Sequence, residues 1–520
     1  MLIFTSVTWL DLCLASAAVY LVKQLSGKKN PAPYPPGPPG WPLVGNIADI
    51  PHNKAWLTLA KWGKKYGDIL HVKVPGRHII VLNSVKAAME LLDKKSSIYS
   101  DRPVFAMGGE LVGWKDGLAF LSYGDRFRYY RKNIHRVIGS RTAVNVYEPS
   151  EEIEVRRFLK RVFAQPEQLD AHIRHTAGAI ILRISYGYEV KDNNDPFVDL
   201  VGRAMHQFSQ ANDPSAFMVN IMPWLANVPE WFPGAGFKSL AREWRQTLKE
   251  TVDAPYKFAK DQIGAGIAPM SYISNLLKGR TLSAEEDHMV KWSALSLYAG
   301  GADTTVSTIY SIFLAMTLYP DVQKKAQAEI DAVVGTDRLP SFADRDSLPY
   351  IEALVKESLR WNVVAPTGIV HCVSEDDIYD GYYIPKGSMI MPNIWSMLND
   401  PQTYANPSQF NPERFLDNDG RGPEREPRTI SFGFGRRICP GMSTHRSIHL
   451  ADASIWISAV MSLAVFDISK IVENGVEQTP EVDFSSGLVR RTLSHPEPFK
   501  CSIKPRSAKA IELIQQDVNY

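Results

Sequence analysis

The sequence predicts a mainly α-helical protein with small β-sheets, folded as one large domain. The strongest helix signal covers Ser283–Tyr319, and Pro320 ends it. The strand signals are short: a hairpin pattern surrounds Pro75-Gly76, and turn pairs stand at Asp380-Gly381 and Lys386-Gly387. No linker divides the middle of the 520 residues, which favours one large unit over the roughly three domains that a length prior suggests.

Composition and charge exclude several classes of protein. Lys and Arg number 58 against 56 Asp and Glu, and a net charge of +2 offers no electrostatic case for nucleic acid. The four cysteines are scattered without C-x-x-C spacing, which argues against a disulfide framework and against a zinc ribbon. They are Cys13, Cys372, Cys439 and Cys501.

The N-terminus carries a candidate membrane anchor. Leu2–Val22 is apolar and close to the roughly 20 residues that a bilayer span needs. Asp11 lies at mid-span, where it would cost about 2.5–3.5 kcal/mol on insertion scales. Lys23, Lys28 and Lys29 follow, and positive flanks stay cytoplasmic. We expect a signal anchor; a cleaved signal peptide is the alternative.

A proline-rich stretch and short local elements follow the anchor. Pro31–Pro42 favours a stiff extended form that separates anchor from body, and a ligand for a partner domain is its alternative interpretation. Asp68–Val74 and His78–Leu82 predict a β-hairpin. Ser84–Asp93 predicts a helix with Ser84 as its N-cap. The pattern over Val144–Leu248 is mostly helical.

The long helix contains an unusual segment at its centre, Gly300-Gly301-Ala302-Asp303-Thr304-Thr305. Ser283 and Glu286 form a capping box at the helix start. Two glycines inside a helix weaken it by roughly 1 kcal/mol each relative to alanine. Either another helix packs closely here, or a flat ligand lies against Gly301 where no side chain can fit.

Phe432–Gly441, with the sequence FGFGRRICPG, combines one cysteine with three glycines and two arginines. Arg436 and Arg437 stand just before Cys439, and adjacent cations and backbone N–H donors favour the metal-binding thiolate. We expect a helix over Met442–Leu463 after this loop. A lone cysteine in a Gly-rich turn is otherwise an inert buried residue.

The spacing F-x-x-G-x-R-x-C-x-G in this loop resembles the haem-ligand loop of the cytochrome P-450 family, in which a thiolate holds haem. The resemblance implies that Cys439 is the axial ligand of haem b iron, that Phe432 packs against the haem, and that Arg437 reaches a propionate. The long helix resembles the family's oxygen-binding motif, with Thr304 and Asp303 in a proton relay.

Other positions match the family more loosely. Arg102 lies in YSDRP, and Arg131 lies in FRYYR, where Phe127 stands in place of the usual tryptophan. Both arginines are implied propionate ligands, since guanidinium pairs well with carboxylate. His371 is implied to bind a propionate in the same way; its alternative role is a solvated loop histidine.

Glu357 and Arg360 lie on one face of a predicted helix over Leu348–Trp361. Alone they would be a surface ion pair of little energetic consequence. With Arg414 in the downstream PERF they resemble the family's E-x-x-R triad, which locks the loop leading to Cys439. The implied role of this triad is haem assembly rather than chemistry.

Phe217–Phe237 is rich in Trp and Phe, and the family places there a lid over the substrate pocket that also dips into the bilayer. Gly487–Val489 resembles the family's last substrate-contact turn. The alternative interpretation is that these aromatic side chains belong to the core or to a membrane-facing surface.

The resemblance implies a haem-thiolate monooxygenase that inserts one atom of O₂ into a lipophilic small molecule. It is closest to microsomal fungal enzymes of secondary metabolism, which favours a terpenoid substrate over an indole alkaloid or a polyketide. NADPH-cytochrome P-450 reductase, or cytochrome b5, would supply electrons through a basic face. That face would comprise Arg128, Lys132, Arg136 and Arg446.

The same resemblance divides the chain into a transmembrane signal anchor at 1–22, a basic flank and proline-rich hinge at 23–45, and a haem domain at 46–520. It implies a single-pass protein of the endoplasmic reticulum membrane with a cytosolic catalytic domain. The alternatives are a haem-thiolate isomerase or dehydratase that needs no O₂, and a non-catalytic haem- or sterol-binding membrane protein.

Overall fold

A computed structural model describes the chain over residues 30–42, 44–50, 53–192, 194–212, 216–417, 420, 422–443, 447–448, 450–484 and 493–516. The predicted anchor at 1–22, the turn at Gly487–Val489 and Arg446 of the basic face lie outside these residues. Within the described part of the chain, no helix combines the length and the apolar character that crossing a bilayer requires.

Helices dominate the described residues, as the sequence predicts. The α-helices are α1 (Ala55–Tyr66), α2 (Val85–Ala88), α3 (Ser96–Tyr99), α4 (Asp125–Ile138), α5 (Arg141–Asn145), α6 (Glu148–Ala164), α7 (Leu169–Tyr186), α8 (Pro196–Ala211), α9 (Met218–Ile221), α10 (Gly236–Gly264), α11 (Tyr272–Leu277), α12 (Ala284–Leu318), α13 (Pro320–Val333), α14 (Pro349–Trp361), α15 (Ile394–Leu398), α16 (Arg428–Ser431), α17 (Leu450–Val465) and α18 (Ala508–Gln515).

The strands are short and form small sheets. They are β1 (Ile69–Val74), β2 (Arg77–Leu82), β3 (His371–Cys372), β4 (Asp377–Tyr379), β5 (Tyr382–Ile384), β6 (Met389–Pro392), β7 (Met442–Ser443), β8 (Ser447–Ile448), β9 (Phe466–Ser469), β10 (Ile471–Glu473), β11 (Val476–Gln478) and β12 (Ser502–Pro505). One sheet has the order β1-β2-β6-β3, with β2 and β6 parallel and the other neighbours antiparallel. The remaining strands pair two by two.

Helix α12 runs through the main hydrophobic core and packs closely against α7. Every residue from Thr305 to Thr317 is buried, so the second half of α12 is surrounded on all sides. A helix that is apolar around its whole circumference belongs in a core. A second cluster lies under the four-stranded sheet and contains Phe434 of the cysteine loop.

Several local predictions are confirmed. The capping box is present: Ser283 Oγ accepts from the Glu286 N–H at 3.2 Å, and Glu286 Oε2 accepts from the Ser283 N–H at 3.1 Å. The β1–β2 hairpin closes with Val74 opposite Arg77. Ser84 caps α2, although the helix continues from Met89 as a wider π-turn.

Two local predictions are wrong. The helix after the cysteine loop begins at Leu450 rather than Met442, because Met442–Ser443 and Ser447–Ile448 pair as the short β7–β8 ladder instead. Gly387 does make a turn, with φ of +80°, but the strands on its two sides are not partners. The second of them, β6, pairs with β2 and β3 instead.

The proline-rich segment contains no helix over Pro31–Pro42 and lies against the sheets. The Pro33 carbonyl accepts from the Tyr383 N–H at 2.7 Å, and the Pro36 carbonyl accepts from the His71 N–H at 2.9 Å. Two backbone bonds to separate strands therefore attach this segment to the body of the protein.

Candidate active site

The cysteine loop is shaped by close backbone approach. Gly435 has φ of +56°, and a Cβ at this position would lie 1.9 Å from the Leu92 carbonyl oxygen. Only glycine allows both the left-handed conformation and this contact. Closing the loop, the Cys439 N–H donates to the Phe432 carbonyl at 2.9 Å. The sulfur is therefore positioned by the backbone itself.

Burial raises the pKa of the Cys439 thiol, while a hydrogen bond from the Gly441 N–H and the charge of Arg131 lower it. The prediction that Arg436 and Arg437 act on the sulfur is wrong. Arg436 is exposed and lies over the Tyr123 ring, 4.8 Å from its centroid. A metal cation at the sulfur would favour the thiolate far more strongly than these groups do.

Arg437 extends from the loop toward the chain that precedes α4. Its Nε donates to the Ser100 carbonyl at 2.7 Å, and its Nη2 donates to the Leu121 carbonyl. The guanidinium lies 4.1 Å from the centroid of the Phe127 ring. Phe127, which stands in place of the tryptophan usual in the family that the sequence resembles, therefore supports Arg437 through its ring face.

Arg102 is buried beside Arg437. Its Nε donates to the Ala119 carbonyl at 2.9 Å, and its Nη1 donates to the carbonyls of Ile369 and Val370 at 2.8 Å each. Burial lowers the pKa of Arg102, and the positive charge of Arg437 lowers it further. Burial likewise lowers the pKa of Arg437, to about 10.

Arg131 and His371 complete this cluster. The Arg131 Nη1 donates to the carbonyl of Ile438, the residue before the cysteine. The His371 Nδ1 donates to the Tyr99 carbonyl at 2.8 Å, and burial lowers the pKa of this imidazole. His371 is thus a buried strand residue, which excludes its alternative role as a solvated loop histidine.

Among the described residues, Arg102, Arg131 and Arg437 form no direct ion pair, although the charge of Asp101 partly opposes the effect of burial on the pKa of Arg102 and Arg437. All three arginines line one cavity with His371 and Cys439. Buried cations without a carboxylate partner are costly unless an anion joins them. The arrangement therefore suits a ligand that carries carboxylates next to the sulfur.

The opposite wall of the cavity is the middle of α12. Gly300, Gly301 and Thr304 line it, and the Thr304 hydroxyl donates to the Gly300 carbonyl at 2.8 Å. A Cβ on Gly300 would meet no atom within 4 Å, so this glycine leaves space open. A Cβ on Gly301 would lie 2.8 Å from the Ile181 side chain of α7. Close helix packing therefore accounts for Gly301, although the residue still borders the cavity.

Asp303 is not one of the cavity-lining residues. Its Oδ1 accepts from Arg174 at 3.0 Å, and its Oδ2 lies 3.3 Å from the His495 Nε2. Arg174 also pairs with Asp170 at 2.9 Å. Sequence reasoning missed Arg174 and His495, since they lie 129 and 192 residues from Asp303 and belong to no recognisable pattern.

The triad of Glu357, Arg360 and Arg414 is assembled as the sequence predicts. Arg360 donates to both Glu357 oxygens, at 2.7 and 2.8 Å, and the Arg414 Nε lies 3.1 Å from Glu357 Oε2. The Glu357 and Arg360 side chains are fully buried. Arg414 also pairs with Glu424 at 2.7 Å, a fourth member that the sequence does not reveal.

A second buried network, which the sequence does not predict, joins α14, α16 and α17. Arg428 pairs with Glu352 and with Asp452 at 2.6 Å each, and Arg345 bridges the same two carboxylates. Burial acts to raise the pKa of Glu352, but the charges of Arg428 and Arg345 lower this pKa to about 2. Both sides of the cysteine loop are thereby tied to one helix framework.

Together these elements enclose a cavity of about 1200 Å³. We call residues 428–441, which include Arg437, together with Arg102 and Arg131 the cysteine-side wall. We call residues 300–308 of α12 the helix-side wall. The lining of this cavity fits haem. It offers a thiol for the iron and guanidinium groups without a direct ion pair for the two propionates, and the facing wall has no side chain at Gly300.

Comparison with known proteins supports the same interpretation. The family model for Cytochrome P450 matches residues 35–445 of the chain. The matched range contains the cysteine loop, the long helix and the triad.

Among curated proteins, the chain is 52% identical over 503 residues to Cytochrome P450 monooxygenase 208 of Postia placenta, covering 96% of each protein. It is 47% identical over 511 residues to Cytochrome P450 monooxygenase claR of Ampulloclitocybe clavipes, covering 98% of this chain and 93% of that one. It is 42% identical over 488 residues to Cytochrome P450 monooxygenase ppsD of Aspergillus oryzae, with coverage of 92% and 90%.

Proposed function

The chain belongs to the cytochrome P450 family and is a haem-dependent monooxygenase, and we propose that it oxygenates a lipophilic small molecule of fungal secondary metabolism. The observation that carries this proposal is the cavity that has Cys439 in one wall and Gly300 and Thr304 in the other. A terpenoid is the favoured substrate, ahead of an indole alkaloid or a polyketide.

The cysteine-side wall would hold the cofactor. Cys439 would bind the iron, Phe432 would pack beside the sulfur, and Arg102, Arg131 and Arg437 would receive the propionates with His371. Haem, when bound, supplies the iron at which O₂ is activated, and the thiolate pushes electron density that favours O–O cleavage. The chain's own contribution is position, water exclusion and control of protons.

The helix-side wall would control protons. The Thr304 hydroxyl lies at the cavity surface and can both accept and donate a hydrogen bond, which suits proton transfer at that atom. Asp303 stands next to it in sequence, with its carboxylate held by Arg174 and His495. In this proposal Asp303 exchanges protons with His495, Arg174 holds the Asp303 carboxylate in place by its charge, and Thr304 delivers protons to the cavity.

The substrate region of the cavity is lined by apolar and aromatic side chains, including Phe105, Trp114, Phe120, Phe208 and Ile181. Phe120 meets both Phe105 and Phe208 edge to face, at centroid distances of 5.1 and 5.5 Å. Such a lining favours burial of a lipophilic substrate and excludes water from it.

The electron donor would bind a basic face on α4. Arg128, Lys132 and Arg136 recur at every fourth residue of this helix, and all three are exposed. The same helix carries Arg131, which contacts the residue before Cys439. Reversing the charge of Lys132 and Arg136 should slow reductase-driven turnover most at low ionic strength. Unchanged turnover at all ionic strengths would contradict this docking face.

We also propose that the protein is anchored in the endoplasmic reticulum membrane by residues 1–22, with the catalytic domain in the cytosol. The apolar stretch and its lysine flank support the anchor, and the exposed Trp224, Trp231 and Phe232 offer a second membrane contact. Removal of residues 1–29 should release the protein from microsomes only in part. Complete release would exclude the second contact, and unchanged retention would exclude the anchor.

An isotope experiment tests the proposed function. The purified protein, its reductase and NADPH are incubated under ¹⁸O₂ with a panel of terpene alcohols, indoles and polyketide phenols. We expect a product that carries one ¹⁸O atom and forms only with NADPH. A product formed without NADPH would favour an isomerase or dehydratase. NADPH consumption that no compound raises above background would favour a non-catalytic binding protein.

A further inference from the structure

Arg77, at the start of β2, lines the cavity without an ionic partner. Its guanidinium donates to the Val104 carbonyl at 3.4 Å and approaches the Met389 sulfur at 3.9 Å. No carboxylate of the described residues pairs with it. Burial lowers the pKa of Arg77, which is the direction expected when a cation loses water without gaining an anion.

The other charges along the cavity are already accounted for. Lys54 pairs with Asp483 at 2.7 Å, and Asp483 is the single carboxylate among the described lining residues. Arg102, Arg131 and Arg437 belong to the cluster beside Cys439. Arg77 is therefore the cavity cation that neither an ion pair nor the cofactor explains.

Arg77 lies toward the solvent-exposed side of the cavity lining, and it bonds to other parts of the chain than the arginines near Cys439 do. The Val104 that it contacts is 61% exposed, and Arg77 itself is only half-buried. The arginines near Cys439 bond instead to carbonyls at 100, 118–121, 369–370 and 438.

The part of the cavity wall next to Arg77 is apolar, and it includes Ile79, Phe105, Met389 and Met391. A ligand that fills this space must be apolar along its body, and an anionic group at its outer end would meet the guanidinium. Such a ligand would place its charged end at Arg77 and its apolar body along the rest of the cavity.

We propose that Arg77 binds the carboxylate of the substrate, so that the substrate is a lipophilic carboxylic acid. This inference rests on the proposed function and narrows its substrate class. Guanidinium and carboxylate match in geometry and form charge-assisted hydrogen bonds. Because Arg77 is half-exposed, water weakens the pair, and we expect a preference of about tenfold over a neutral analogue, equivalent to about 1.4 kcal/mol.

The test compares acids with their methyl esters on the holoenzyme. The probes are abietic acid with methyl abietate, and dodecanoic acid with methyl dodecanoate; binding is measured by equilibrium dialysis at neutral pH. The variants are Arg77→Gln and Arg77→Lys, and Lys73→Gln removes an exposed cation from the neighbouring strand as the matched control.

Wild type and Lys73→Gln should prefer at least one acid over its ester by about tenfold. Arg77→Gln should lose this preference while binding the esters as wild type does, and Arg77→Lys should retain part of it. Equal binding of acid and ester by wild type, or a preference that survives in Arg77→Gln, would overturn the proposal.

Two controls distinguish a substrate-binding role of Arg77 from a role in holding haem. Haem transfer from each variant to apomyoglobin should proceed at the wild-type rate; faster transfer from Arg77→Gln would make Arg77 a propionate ligand and overturn the proposal. The carbon monoxide spectrum of the same preparations tests the proposed function on its own. A normal spectrum without acid preference rejects only the role of Arg77, whereas an abnormal spectrum rejects the haem-thiolate assignment.

Discussion

The two walls of the cavity are held in place in different ways. The cysteine-side wall is fixed by charged side chains and backbone bonds: Arg437, Arg102 and Arg131 all donate to carbonyls, and the two buried networks lie behind it. The helix-side wall is held by packing, with Gly301 against Ile181 and the following turns of α12 surrounded by core.

This difference indicates that the two walls have different roles. The cysteine-side wall must keep a sulfur and several cations at fixed positions, which needs directional bonds and a rigid frame. The helix-side wall must leave room for a ligand, and it does so with the missing side chain at Gly300. Perturbing the first wall should therefore affect assembly and stability, whereas perturbing the second should affect packing and turnover.

The largest effect is expected from Glu357→Gln. Arg360 would lose its anionic partner while remaining buried, and Arg414 would keep only Glu424; breaking a buried charged set typically costs about 3–5 kcal/mol. We expect little holoprotein and a lower urea midpoint. The control Glu413→Gln removes a carboxylate from the same PERF segment, where its pairing with Lys325 is exposed. Equal loss of holoprotein in both variants would contradict a special role for the buried triad.

The next effect concerns pH and Glu151 of α6, which is fully buried and accepts a hydrogen bond from Ser454 of α17 at 2.7 Å. Burial raises the pKa of Glu151 to about 8. The folded state then binds more protons than the unfolded state between about pH 4.5 and 8, so stability falls as pH rises through this window.

Glu151→Gln should remove this dependence and stabilise the protein at pH 8 by about 2–4 kcal/mol, with little change at pH 4.5. Urea unfolding at both pH values measures this change in the free energy of unfolding. Glu167→Gln, an exposed site on the neighbouring 3₁₀ turn, serves as control. A stability difference that is the same at both pH values would contradict the assignment.

A smaller effect separates the two glycines of α12. Gly301→Ala places a Cβ against Ile181 and should cost about 1–3 kcal/mol by overpacking. Gly300→Ala meets open space and gains helix propensity, so it should be neutral or stabilising by up to about 1 kcal/mol. Adding Ile181→Val to Gly301→Ala should recover part of the loss. Equal effects of both alanines would contradict helix packing as the reason for Gly301.

The smallest structural change is Thr304→Ala. It should leave stability nearly unchanged and lower the fraction of NADPH oxidation that is coupled to product formation. We expect less product and more hydrogen peroxide per NADPH, because a hydroxyl at the cavity surface no longer positions the proton. Thr317→Ala is the matched control, since Thr317 makes the same bond to the carbonyl four residues back but lies in the core. Unchanged coupling in Thr304→Ala would count against the relay.

The sequence predicts the parts of this site that depend on short spacing. The loop around Cys439, the capping box of Ser283 and Glu286, and the pair of Glu357 with Arg360 all lie within a few residues of one another. Such local patterns limit the backbone directly, through glycine conformation, capping and helix periodicity.

Contacts between distant parts of the chain could be predicted only where the residues match a family motif, as Arg414 does. Asp303 meets Arg174 and His495 only because α7 and the C-terminal segment fold against α12. Arg131 rather than Arg436 influences the sulfur because the direction of each side chain follows from tertiary packing. The spacing alone contains no information about either contact.

The most direct test of the central claim is the carbon monoxide difference spectrum of the reduced protein, recorded for wild type, Cys439→Ser and Cys372→Ser. We expect wild type and Cys372→Ser to show the red-shifted Soret band of sulfur-ligated haem, and Cys439→Ser to lack it. Cys372 is a free thiol outside the cavity lining, so it controls for loss of any cysteine. A red-shifted band that persists in Cys439→Ser, or is absent from wild type, would contradict the account.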